Sequence, residues 1–228
     1  RMLASLCLTV AIASAVFFAL TSGRNFPEEQ TTGVTFEEPL IERAAHLVLC
    51  KNDKEVISEE ELLSVTELYV FGDKTAANED MYRAYSNSFA ANNKTVSRGG
   101  ITSLSDIAKF KNLRKLFLAY QNINDLTPLS QLAFLECVEL KHNPIQDVSP
   151  LSELASLNSL HLFDTNVSDL TALKGCSRLT VVDVGCTQIT SMAAFSGLDS
   201  LKILMISKTP LKTLDDIGSH PMLEQIYL

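Results

Sequence analysis

The sequence predicts an α/β solenoid with a parallel β-sheet on its concave side, short helical or 3-10 returns on its convex side, and a helical N-terminal cap. Three observations support that expectation. The pattern L-x-x-L-x-L starts at Leu113, Leu135, Leu157, Leu179, Leu201 and Leu223, a spacing of 22 residues every time. The apolar residues that follow in each copy alternate with polar ones, so they share one strand face. Beyond the strand, apolar residues recur at every third place, which fits a short helical return better than another strand.

The chain opens on an apolar run. From Met2 to Ser22 there is no charged residue, and Arg1 and Arg24 flank the run. Roughly twenty apolar or small residues span a hydrocarbon core as a helix. The run is long for the apolar region of a signal peptide, and the residues near Ala19 fit a small-x-small cleavage pattern poorly. Residues 1–24 are therefore expected to be a transmembrane anchor, with a cleaved signal segment as the alternative. The first places the repeats outside the cell on a single membrane span; the second secretes them. Arg1 is not an initiating methionine, and Leu228 stops inside a repeat. Further chain is expected on both sides, including another repeat or a polar cap beyond Leu228.

Residues 25–64 read as a linker and helical N-terminal cap. The stretch 25–61 has ten carboxylates against three basic groups, most of the chain's net charge of −8, while the repeats are close to neutral. Leu40, Ala44, Leu47 and Val48 fall on one predicted helical face. Ser58 followed by Glu61 is a capping box that opens a second short helix. No part of the chain has the basic stripe that phosphate backbones require, so no nucleic-acid partner is expected.

Residues 65–228 form the repeat domain. Val65, Leu68 and Val70 announce the first strand. An insertion at about 74–100 separates it from its return at Ile101, Leu104, Ile107 and Phe110. Within the insertion, Met81, Tyr82, Tyr85 and Phe89 are spaced as on a helix. That stripe is expected to pack the insert on the flank of the solenoid, with a binding loop as the alternative. In the regular copies Leu116 and Leu118, Val138 and Leu140, Leu160 and Leu162, and Val182 and Val184 point inward. Gln121, Asn143, Thr165, Thr187 and Thr209 stand where the chain leaves the strand, and their side chains are suited to bonding backbone groups orphaned at the bend. Thr127 and Ser149 occupy expected N-cap positions, followed by Pro128 and Pro150. A 22-residue unit cannot bury its apolar layer alone, so stacking is obligatory.

The segment NINDLTPLSQLAFLECVELKHNPIQDVSPLSELASL resembles the 22-residue repeats of bacterial internalin-type leucine-rich-repeat proteins, and the resemblance covers residues 101–228. It implies a leucine-rich-repeat horseshoe, and a recognition surface rather than an active site. The stretch VISEEELLSVTELYV likewise resembles segments that introduce bacterial leucine-rich repeats.

Equivalent positions of successive strands lie about 5 Å apart across the sheet. On the concave side this aligns Tyr69, Phe117, Glu139, His161 and Asp183 in one column, and Phe71, Lys141 and Phe163 in another. Tyr120 and His142 stand beside them. Large aromatics on a face expected to be solvated suggest a contact surface. These ten residues are the candidate ligand-binding site, and cross-strand aromatic ladders are the competing explanation. Glu139, His161 and Asp183 also place an imidazole between two acids. A catalytic reading lacks a nucleophile in that column and a closed pocket, and a metal reading lacks ligands. No catalytic residue, metal or cofactor is expected. The five cysteines, Cys7, Cys50, Cys137, Cys176 and Cys186, match no zinc spacing and no disulfide framework.

The expected function is an exported, membrane-anchored recognition or adhesion module that binds protein, or a surface glycan, through its concave face. A sensor ectodomain of a larger bacterial receptor-type signalling protein, such as a serine/threonine kinase, is the alternative, and a cytosolic regulatory scaffold ranks below it. The sequence leaves the oligomeric state open.

Overall fold

Eight strands form a single open sheet in the order β2-β1-β3-β4-β5-β6-β7-β8, parallel throughout except for β2. The structure is a computed structural model that describes residues 33–92 and 95–228. The expected anchor or signal segment, with Cys7, and the first part of the linker lie outside the described residues. Among the described residues, no helix is long and apolar enough to cross a membrane.

The strands are β1 (Glu67–Phe71), β2 (Lys74–Ala76), β3 (Lys115–Ala119), β4 (Cys137–Glu139), β5 (Ser159–His161), β6 (Val181–Asp183), β7 (Ile203–Met205) and β8 (Gln225–Tyr227). Their register follows the 22-residue period: Leu116 lies opposite Val138, then Leu160, Val182, Leu204 and Ile226. Leu68 lies opposite Leu116, 48 positions on, so the first copy carries 26 extra residues. The inward leucines, valines and isoleucines form one continuous core that runs from the cap into the repeats.

The returns are 3-10 turns at Ile107–Lys109, Thr127–Gln131, Ser149–Leu151, Thr171–Gly175 and Ala193–Phe195. Thr127 and Ser149 are not their caps but their first residues. The capping groups stand two places earlier, where Asp125, Asp147 and Asp169 accept the backbone N–H of Thr127, Ser149 and Thr171 at 2.8 Å. An aspartate ahead of a turn bonds its own backbone two residues on, and a shorter threonine or serine side chain is displaced from that role. At the bend after each strand, the expected polar residues are bonded; Gln121, Asn143, Thr165 and Thr187 are buried, and Thr209, near the end of the chain, is only partly so. Asn143 Nδ2 donates to the carbonyls of Leu118 and Leu140, and its Oδ1 accepts from Ile123 N. Thr165 and Thr187 donate to Leu162 and Val184.

The cap consists of helices α1 (Pro39–Val48) and α2 (Glu59–Ser64). The capping box is present, with Ser58 Oγ accepting from Glu61 N at 3.2 Å and Glu61 Oε2 from Ser58 N at 2.8 Å. The buried face of α1 is rotated from the expected one: Ile41, Ala44, Ala45 and His46 are buried, whereas Leu40, Leu47 and Val48 are only partly covered. Small residues on that face let α1 approach the first strand closely. The cap is also held by a buried polar clasp, in which Asp106 Oδ2 accepts from Glu37 N and Glu38 N, and Glu38 Oε1 accepts from Thr102 N and Ser103 N, all at 2.8 Å.

The insertion starts as a hairpin. Gly72 turns β1 into antiparallel β2, which covers the outer edge of the sheet. Gly72 has φ +58, and a Cβ there would lie 2.2 Å from Ser97 O, so only glycine fits. Helix α3 (Glu79–Asn92) follows. It does not lie on the flank of the solenoid. Its Tyr82, Tyr85 and Phe89 pack on Tyr69, Phe71, Phe117 and Ala119, the outward side chains of the first two strands, and so cover that end of the concave face.

Candidate functional site

The position of α3 divides the ten candidate residues into two groups. Tyr69, Phe71 and Phe117 are buried beneath it and belong to a second apolar core, so the expectation that they form a solvated contact surface is corrected for these three. The reason is geometric, because the aromatic stripe of α3 and the aromatic columns of β1 and β3 are each other's complement. Tyr69 meets Phe117 edge-on with centroids 5.1 Å apart, and Tyr82 meets Phe117 at 5.2 Å. Only the margin of Phe71 reaches the open part of the face.

Six of the remaining seven, Tyr120, Glu139, Lys141, His142, Phe163 and Asp183, are brought together just beyond α3. Phe71, Ser86, Ala119, Tyr120, Glu139, Lys141, His142, Phe163 and Asp183 line one shallow depression of about 280 Å³. One wall is aromatic: Phe71 packs edge-on against Tyr120 at 5.2 Å, Tyr120 stacks on His142 at 3.9 Å, and His142 packs edge-on against Phe163 at 5.5 Å. His142 Nδ1 lies 2.8 Å from Asp164 Oδ2.

This row depends on a backbone feature that the sequence did not reveal. Tyr120, His142, Asp164, Cys186 and Lys208 occupy the same place in successive repeats, and all have φ between 54 and 59, in the left-handed region. Gly72 holds the corresponding place in the first repeat. Side chains other than glycine are disfavoured there. Their recurrence at one repeat position shows that the turn out of the strand imposes the conformation, and this turn sets the side chains in a row beside the sheet.

The floor of the depression is charged. Glu139 is buried, and its Oε1 accepts the Tyr82 hydroxyl at 2.6 Å. Burial, followed by the Glu139 charge, pushes the Tyr82 phenol well above its ordinary range, so Tyr82 remains the donor. Glu139 Oε2 accepts no hydrogen bond, and its nearest cations are Arg83 Nη1 at 3.7 Å and Lys141 Nζ at 4.0 Å. Lys141 Nζ is 3.4 Å from Asp183 Oδ2. Burial alone would raise the Asp183 carboxyl, but His161, Lys141 and the Gly185 N–H outweigh it and hold the group below the usual carboxylate range. Gly185 keeps this part of the face low, since a Cβ there would press on the Phe163 ring at 3.0 Å.

His161 lies beside the depression rather than in its lining. Its Nε2 is 3.0 Å from Ser159 Oγ, a neighbour on the same strand face, and its Nδ1 is 3.8 Å from Asp183 Oδ2. The second distance is beyond hydrogen-bonding range, so Asp183 does not orient the imidazole as a base. Among the described residues, no three or more His, Cys, Asp or Glu side chains are grouped to hold a metal ion. Sequence reading also missed Arg83 and Tyr82 as site components. Tyr82 stood on the aromatic stripe, but nothing in the sequence indicated that its hydroxyl would reach Glu139, 57 residues away.

No protein-family model matches the sequence, and no curated protein sequence matches it. Solved structures do match. An internalin (inlF) of Listeria monocytogenes superposes with a TM-score of 0.60 at 26% identity, over 78% of this chain and 52% of the internalin. Internalin C2 (inlC2) of the same organism superposes with a TM-score of 0.53 at 21% identity, over 84% of this chain and 93% of that protein, a likeness of fold. The chain thus spans about half the length of the first of these proteins. The repeats resemble those of bacterial internalin-type leucine-rich-repeat proteins in sequence and in structure.

Proposed function

We propose that this internalin-type leucine-rich-repeat chain is an exported, membrane-anchored recognition module that binds a protein partner on the concave face beyond α3. The observation that carries the reading is the depression itself, where an aromatic wall meets a buried charged floor. Rigid aromatic side chains provide contact area at low entropic cost, and charged groups around them give register and selectivity. The sheet supports recognition in a second way. Its side chains are held by parallel pairing and a leucine core, so little ordering is left to occur on binding. Export and anchoring are supported by the apolar run Met2 to Ser22.

Cross-linked capture with the full chain tests the reading, comparing the native protein with a Tyr120→Ala, Phe163→Ala variant of matching circular dichroism and thermal midpoint. A partner retained by the native chain and lost by the variant is expected. Identical capture by both proteins would move the binding surface elsewhere. Export is checked separately: the repeats of intact cells should be cut by added protease and stay with the membrane fraction after lysis.

A further inference from the structure

We propose that the depression at Glu139, Lys141 and Asp183 receives the guanidinium of an arginine side chain presented by the protein partner. This rests on the concave-face reading and names the chemistry at its centre. Glu139 is buried with one oxygen bonded to Tyr82 and the other accepting nothing, although it lines the depression. A buried carboxylate oxygen without a donor is costly, and its two neighbouring cations, at 3.7 and 4.0 Å, are too distant for a hydrogen bond. Asp183 supplies a second, nearly buried acid, held in its charged form.

Lys141 stands between the two acids as a loosely held filler. Its ammonium is 3.4 Å from Asp183 and 4.0 Å from Glu139, and a quarter of its side chain is exposed. A flexible four-carbon stem lets it swing into solvent when a better-fitting cation arrives. A guanidinium fits better because its planar fork can serve two carboxylates and its face can lie against an aromatic ring. Phe71, Tyr120 and Phe163 supply such rings. The protein contains an instance of the same pairing, since Arg83 lies 5.4 Å from the centroid of Phe117 and reaches toward Glu139. At about 280 Å³ the depression is a subsite for one side chain rather than a pocket for a whole small molecule.

The test is a titration of the isotope-labelled full chain with three capped tripeptides, Gly-Arg-Gly, Gly-Lys-Gly and Gly-citrulline-Gly, read from backbone amide shifts. The arginine peptide should give saturable shifts at 139–142, 161–164 and 183–185. Citrulline, which is planar but uncharged, should bind at least tenfold more weakly, and lysine at least threefold more weakly. Lys141→Met should tighten arginine binding, and Asp183→Asn should weaken it at least tenfold. Equal binding of arginine and citrulline, or of arginine and lysine, would overturn the assignment. So would saturable shifts elsewhere, or none in both the native chain and Lys141→Met. A captured partner that is indifferent to Lys141→Met and Asp183→Asn would remove the subsite and leave the recognition reading standing. An arginine response without any partner captured on the concave face would do the opposite.

Discussion

Asn143 shows how one side chain holds a repeat to its neighbour. It satisfies the carbonyls of Leu118 and Leu140 and the N–H of Ile123 while almost fully buried. Asn143→Ala leaves these groups without partners away from water, which costs about 1–3 kcal/mol. Urea unfolding should show that loss, and a change below about 0.5 kcal/mol, the usual range for a surface substitution, would contradict the assigned role. Asp183 gives a pH-dependent counterpart. Its folded-state pKa lies below the ordinary 3.8, so its contribution is fully present above that value and is lost as pH falls through the lower folded-state value. Followed downward from about pH 5, the stability gap between the native chain and Asp183→Asn should shrink toward pH 2. A gap that holds or widens over that range would show that the ion pair with Lys141 does not stabilise the fold. The polar residue after each strand was legible in the sequence because it recurs in type as well as place. The left-handed residue one place earlier was not. Tyrosine, histidine, aspartate, cysteine and lysine share it, and no composition signal marks a conformation that the turn itself imposes.

Among the elements, α3 has the largest effect on what the molecule presents. It converts Tyr69, Phe71 and Phe117 from surface into core, and it brings Tyr82 and Arg83 to Glu139. Tyr82→Ala removes the ring at the centre of that packing and the hydroxyl on Glu139, a loss of about 3–5 kcal/mol for a buried aromatic. Because the repeats have their own leucine core, the loss should fall on the docking of α3. Amide exchange across Glu79–Asn92 should speed up while the strands from β4 to β7 keep their protection; uniform acceleration would mean that the insertion and the repeats fold as one unit. The helical character of α3 could be read from Met81, Tyr82, Tyr85 and Phe89. Its location could not, since periodicity shows that a helix has an apolar face but not which surface receives it. The rotated face of α1 was missed for a related reason: leucines suggested the buried side, while close approach to β1 required alanines. The capping box of α2 was legible because its two partners are three residues apart.

At the scale of the whole molecule, the period alone specifies the architecture. Each 22-residue copy contributes a layer of leucines that only its neighbours can cover, and the observed register repeats that spacing from β3 to β8. The candidate site was less fully legible. Seven of the ten residues chosen from their columns line the depression, because column and strand register are the same information in a solenoid. The burial of Tyr69 and Phe117 depended on an insertion that obeys no repeat. The proposed recognition surface is the open concave face beyond α3. The most direct measurement is hydroxyl-radical footprinting of the full chain, free and with its captured partner. Protection should concentrate on Tyr120, His142 and Phe163. Protection confined to the convex returns at Thr127–Gln131, Ser149–Leu151 and Thr171–Gly175, with the concave residues still reactive, would contradict it.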